Sequence, residues 1–369
     1  MFYDCIRIIF NKTFLFSIIL HILYGCIFEK SKLYYPYTFG RNILFLKTDL
    51  YKFYISICFV SLGIPYIVSK ILPNQYTLAR SYIANRYENH QAMEVQVGSY
   101  LLGISMLLTG FCPSYLPIYL AINPVLFLYS IAASYIAFIC YHIYEKVVLN
   151  RVRLRPIDNE RNNTYSITVE TESLHTIERI ITLSICVILL LMFETIEQSL
   201  PVGHTADELH DLIRNGDYLP PGLTGILCGL ITTLLIFICH EYQTFTSEWL
   251  VNIFYYTSDI ATKKTNITGQ LCFEQILKML SIAFGARLSL WLSSEQEIPN
   301  IDWLFYPLIG LGSFAGAYSV CLTTATFTDH VYLVHAFVGS VASDIIPLAI
   351  ASVWIILYMA QLLKITNLK

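Results

Sequence analysis

Charge is what this sequence has least of: Asp, Glu, Lys and Arg make up 13% of its 369 residues, about half the share typical of water-soluble domains. Hydrophobic residues account for 56%, and a soluble fold of that composition would expose contiguous apolar patches. Neither sign dominates. A net charge of −3 without a basic stripe excludes nucleic acid as a natural partner.

Other signatures are missing too. The ten cysteines include no C-x-x-C pair and no regular spacing, which argues against a disulfide framework or a zinc site. Most sit inside apolar runs, where a thiol behaves as a small hydrophobe. No His-Glu-x-x-His, Gly-x-Ser-x-Gly, clustered aspartates or phosphate-binding loop is present, so neither an enzyme nor a bound cofactor is expected. The apolar run at 14–27 lacks a small-x-small cleavage site, meeting Phe28-Glu29-Lys30 instead, and reads as a retained first membrane helix. No run shows the two-residue alternation of a barrel strand.

What is abundant is apolar sequence long enough to cross a hydrocarbon core of roughly 30 Å. Such stretches fall near 10–28, 51–72, 95–112, 123–147, 179–199, 222–241, 273–292, 304–322 and 335–363. The fold expected is an all-α polytopic membrane protein of about nine segments, with the lipid bilayer as its solvent. A polar linker at 150–178, carrying Arg151, Arg153, Arg155 and Arg161, separates a first membrane half (1–149) from a second (179–369). The polar stretch 197–218 reads as a solvated loop, since His204 and His210 lack the spacing that puts two ligands on one helix face. Residues 242–262 are mixed in polarity and suit an interfacial helix.

Two segments repeat. Gly103 to Cys112 and Gly312 to Cys321 are apolar, glycine-bearing and identically spaced from glycine to cysteine, with Gly110 and Gly316 inside them. Helical pattern weakens after each cysteine, through Pro113, Ser114 and Pro117 in one copy and Thr323, Thr324, Thr326 and Thr328 in the other. Ile131-Ala132-Ala133-Ser134 keeps the same offset to Ser340-Val341-Ala342-Ser343. Together these predict an internal duplication giving two pseudo-symmetric halves with interrupted helices at the cysteines. Backbone that leaves the helix inside a membrane must be buried in protein or line a wet cavity, and repeat-built transporters place such breaks at the solute site.

These residues resemble the YeeE/YedE sulphur-transport family, which includes thiosulfate uptake proteins. The similarity rests on Gly25 to Pro36, Gly103 to Pro113, Gly222 to Gly229, Phe284-Gly285-Ala286 and Gly310 to Cys321. The resemblance implies two helical halves meeting at a narrow passage, where thiosulfate moves by S–H hydrogen bonds from one thiol to the next. Cys112 and Cys321 are the implied central thiols, with Cys272 or Cys228 as a third. The second motif departs from the family pattern: Val320-Cys321-Leu322-Thr323-Thr324 stands where a glycine-flanked cysteine is usual.

Arg287 and Asp344 fall within expected spans, where a charge is costly unless paired or wetted. They can pair with each other, Arg287 can attract an anion, or it can snorkel toward Ser293-Ser294-Glu295. His21 reads as a hydrogen-bonded core imidazole, and Gly222, Gly225 and Gly229 as a helix-packing face. The function expected is a permease for a small sulfur-containing inorganic anion, using Cys112, Pro113, Gly110, Cys228, Cys272, Arg287, Gly316 and Cys321. A non-transporting membrane scaffold, or a transporter of another small solute, is the alternative.

Overall fold

The computed structural model describes residues 12–35, 42, 47–87, 92–144, 172–199, 218–241, 267–293, 301 and 303–323. Within them the chain is all-helical: ten α-helices and two short 3-10 turns, with no strand among the described residues. We number the helices α1 (Lys12–Ser31), α2 (Asp49–Ile71), α3 (Pro73–Tyr87), α4 (Ala92–Thr109), α5 (Leu116–Ile122), α6 (Pro124–Tyr144), α7 (Glu172–Ser199), α8 (Pro221–Phe237), α9 (Ile267–Leu292) and α10 (Tyr306–Thr323).

Three of these, α1, α2 and α6, are long and apolar enough to cross a membrane. Shorter apolar helices run over Gln96–Thr109, Ile180–Thr195, Pro221–Phe237 and Tyr306–Leu322. Helices occupy eight of the nine expected positions; the ninth, 335–363, lies outside the described residues, as do 242–262 and Asp344. One boundary differs from expectation, and one helix was not expected. α7 begins at Glu172, inside the stretch read as linker. α3 is a polar helix that apolar-run counting passes over, and its Pro73 sits at the first helical position, where a missing N–H is harmless.

Two of the membrane-length helices turn apolar side chains outward and bury polar ones. On α6, Leu128, Ile136, Ile139 and Ile143 are exposed, whereas Ser130 and Ser134 are buried. On α1, Leu15, Ile19 and Leu23 face outward while Ser17 and His21 are buried. Apolar stripes outside and hydroxyls inside suit a hydrocarbon surround, where polar groups must find partners within the protein.

Four helix pairs organise the packing: α1 with α9, α2 with α8, and α10 with both α4 and α6. α1 and α9 run parallel, since Cys26, Glu29 and Lys30 bond Gly285, Ser289 and Ser293 in that order, and they touch backbone to backbone. A Cβ on Gly25 would overlap the Ile282 carbonyl, and one on Gly285 would overlap the Ile22 carbonyl. α8 runs parallel to α2 in the same manner, with Gly225 against the Phe53 carbonyl and Gly229 against Val60. The small-residue face expected of Gly222, Gly225 and Gly229 is therefore a helix crossing. α10 runs antiparallel to α4, since Gly312 meets Leu108 and Thr109 while the Ser319 hydroxyl donates to the Gly98 carbonyl at 2.6 Å.

A polar clasp closes the α1–α9 seam. Glu29, fully buried, pairs with Lys32 and accepts a hydrogen bond from the Ser289 hydroxyl at 2.7 Å. Lys30 donates to Ser293 at 2.6 Å, and the Cys26 thiol donates to the Gly285 carbonyl at 3.0 Å. Lys32→Ala leaves a buried carboxylate without its cation. We expect it to lower stability in detergent by about 1–3 kcal/mol, with Glu29→Gln added in the same chain restoring most of the loss. Thermal unfolding of the single and double variants checks this, and a double variant no better than the single one contradicts it.

Candidate functional site

The expected break after α4 is present and built from local chemistry. α4 ends at Thr109; Gly110 then takes a left-handed backbone (φ 71°), the conformation that favours glycine after a helix C-terminus. Its N–H still bonds the Met106 carbonyl at 3.0 Å. The Thr109 hydroxyl satisfies part of the freed backbone, accepting from the Phe111 N–H at 3.2 Å and lying 2.8 Å from the Ser105 carbonyl. Pro113 opens a 3-10 turn to Tyr115, α5 follows, and Asn123 breaks the chain again before α6, its side chain accepting from the Leu126 N–H at 3.0 Å. The 3-10 turn and the short α5 thus connect α4 to α6, with the connection buried in protein.

Cys112 lies at this break with no exposed surface. Cys228 of α8 is equally buried, belongs to the same core, and like Cys112 falls within electrostatic reach of Tyr115. Tyr115 shares a 2.9 Å hydrogen bond with Tyr54 of α2, itself within reach of Cys112. Aromatic rings enclose the group: Phe28 lies 4.5 Å from Tyr115 and 5.5 Å from Phe53, and Phe111 lies 4.6 Å from Tyr119 between ring centres. The Tyr119 hydroxyl donates to the Tyr34 carbonyl, tying α5 to the turn after α1. Burial first, then Tyr35 and Glu29, pushes the Tyr34 phenol well above its ordinary range, so it stays neutral.

The other expected site residues are distributed as follows. The structure does not bring Cys321 to Cys112. Because α10 runs antiparallel to α4, Cys321 lies beyond Ser319 at the Gly98 end, whereas Cys112 follows Thr109 at the Gly312 end. Gly312 to Cys321 alone spans roughly 14 Å of helix. Cys321 instead sits near Tyr318 together with Cys140. Gly316 lies one turn or so before it on α10. Helix α10 continues through Thr323, so the second expected break falls outside the described residues. Cys272 is in the first turns of α9, its side chain outside the described residues. Arg287 is exposed and donates to the Ala121 carbonyl at 3.4 Å, near the C-terminus of α5, a favourable place for a cation. No disulfide joins the described cysteines, and no cluster of metal-ligating side chains occurs among the described residues.

Models of known protein families give no match to this chain, and no curated protein matches it. The reading of the site therefore rests on its own geometry and chemistry.

Sequence reasoning missed the Tyr54–Tyr115 pair, whose partners are 61 residues apart. It also passed over a set of buried serines. Ser105 precedes Thr109, and Ser130 precedes Ser134, by one helical turn; that four-residue spacing inside apolar runs was the available signal.

Proposed function

We propose that this protein is a membrane permease for a small sulfur-containing anion such as thiosulfate, a divergent relative of the YeeE/YedE transporters, with Cys112 and Cys228 as the thiols of its constriction. The observation that carries this reading is the buried helix break at Gly110 to Tyr115, which holds one thiol and shares the neighbourhood of Tyr115 with a second. Thiols and phenols are neutral donors, able to hold an anion without the tight grip of a fixed cation.

The pairing of helices supports two halves of inverted topology. Exchanging the halves maps α1 onto α8, α2 onto α9 and α4 onto α10. It turns the parallel α1–α9 crossing into the parallel α8–α2 crossing and maps the antiparallel α4–α10 pair onto itself. The Leu219 N–H bonds the Lys30 carbonyl at 3.0 Å, which puts the start of α8 beside the end of α1 and so reverses the second copy. Such inverted repeats are a common plan for alternating-access transporters.

Reconstituted into sealed vesicles, the protein is expected to admit labelled thiosulfate faster than protein-free vesicles, with excess unlabelled thiosulfate suppressing uptake. Uptake equal to the protein-free rate for thiosulfate and related sulfur anions would refute transport and leave a membrane scaffold.

A further inference from the structure

The seam where α10 packs between α4 and α6 contains hydroxyls that the thiol site does not use. Ser105 of α4, Ser130 of α6 and Ser313 of α10 are each at least nine-tenths buried, and none has a hydrogen-bond partner among the described residues. They lie along one helix seam. The Ser134 hydroxyl lies 2.8 Å from the Ser130 carbonyl and 3.5 Å from the Ser313 carbonyl. Thr109, whose hydroxyl is 2.8 Å from the Ser105 carbonyl, packs its methyl against Gly312 next door. Ser114, also buried and without a partner, stands beside Cys112 at one end of the seam. Cys321 stands at the other.

A buried hydroxyl with nothing to bond keeps the full cost of its lost hydration, and native proteins seldom tolerate several together. Three from the three helices of one seam mark a stretch with hydrogen-bonding capacity to spare. The surroundings narrow its chemistry. α6 and α10 carry no Asp, Glu, Lys or Arg, and neither does α4 beyond Glu94 in its first turn. An occupant therefore meets neutral O–H donors.

We infer that the α4–α6–α10 seam is a hydroxyl-lined station for a small oxyanion, through which solute passes between Cys112 and Cys321. This rests on the permease reading and adds a route to it. It also gives the separated cysteines a common role, as thiols at the two ends of one polar seam. Serine donors suit the terminal oxygens of an anion such as thiosulfate, and thiols suit its terminal sulfur. An occupant held by neutral donors leaves more readily than one held by a buried arginine.

The test uses full-length protein in vesicles, with Ser105→Cys, Ser130→Cys and Ser313→Cys each treated with a sulfonate-bearing methanethiosulfonate reagent and scored by peptide mass. Ala137→Cys, fully buried on α6, is the control. The serine-site thiols are expected to react at least tenfold faster than the control, and excess thiosulfate or sulfate should slow them at least threefold. Reactivity no greater than that of Ala137→Cys overturns the proposal, as does reaction that neither anion slows. Net flux is not needed for this readout, so protected labelling in vesicles that admit no thiosulfate would keep the station and remove the permease reading. In a second measurement, Ser130→Ala/Ser313→Ala should cut thiosulfate uptake at least tenfold without lowering the thermal midpoint. Unchanged uptake in that variant also overturns the route.

Discussion

Cys112→Ala is expected to lower thiosulfate flux by roughly ten- to a hundredfold, the equivalent of about 1.5–3 kcal/mol for one donor lost to a charged partner where water is excluded. Cys112 has no exposed surface, so no solvent molecule is at hand to replace the missing S–H. Cys228→Ala should act in the same direction, because Cys228 is equally buried and shares the neighbourhood of Tyr115. Cys321→Ala is different. That thiol is only partly buried and sits at the far end of the α4–α10 pair. Its loss should reduce flux by no more than about threefold, since water can stand in for a donor at an accessible site. Cys112→Ser keeps an O–H donor of similar size and should recover part of the flux. The four variants, reconstituted at equal density and compared by initial rate, give an ordering that the sequence match alone does not: two strong effects within one core, and a weak one at Cys321. Equal, severe losses for Cys112→Ala and Cys321→Ala would mean the two thiols act together, against their placement here.

That ordering shows where sequence and structure part company. Apolar runs located the helices because a span must satisfy its own backbone in hydrocarbon, and length with composition is enough to read that off. The break at Gly110 to Pro113 was legible for the same reason: glycine and proline act through their own backbone. Orientation was not legible. Matching Gly103–Cys112 to Gly312–Cys321 suggests that like ends meet, but antiparallel packing of α4 on α10 sends the two cysteines to opposite ends. Nothing local records which way a matching segment points. The Tyr54–Tyr115 bond and the placement of Ser105, Ser130 and Ser313 along one seam are tertiary facts of the same kind. For Arg287 the sequence allows a paired, anion-attracting or snorkelling charge; in the structure it reaches from an exposed face to the Ala121 carbonyl.

Gly285→Val should be the most damaging single substitution in the described helices. Even the first carbon of a side chain at Gly285 would overlap the Ile22 carbonyl, and across the seam a Cβ at Gly25 would overlap the Ile282 carbonyl. Both obstacles are backbone, which cannot rotate aside as a side chain can. To admit the new group, α1 and α9 must move apart, and the clasp stretches with them: the Cys26–Gly285 bond, the Ser289–Glu29 bond and the Lys30–Ser293 bond all cross that seam. Overpacking alone costs about 1–3 kcal/mol, and each weakened bond to a buried charged group adds about 1 kcal/mol or more. Most of a marginal fold's stability is at risk, so Gly285→Val should yield little protein that survives detergent extraction as a monodisperse species. Gly285→Ala should already be destabilising, with a lowered thermal midpoint. Gly63→Ala supplies the contrast: its Cβ would meet only the Leu183 side chain, at 4.0 Å, and helix propensity favours the change by about 0.5–1 kcal/mol. A Gly285→Ala protein as stable as Gly63→Ala would show that α1 and α9 do not touch through their backbones, and the parallel pairing on which the proposed inverted arrangement rests would lose one of its two crossings.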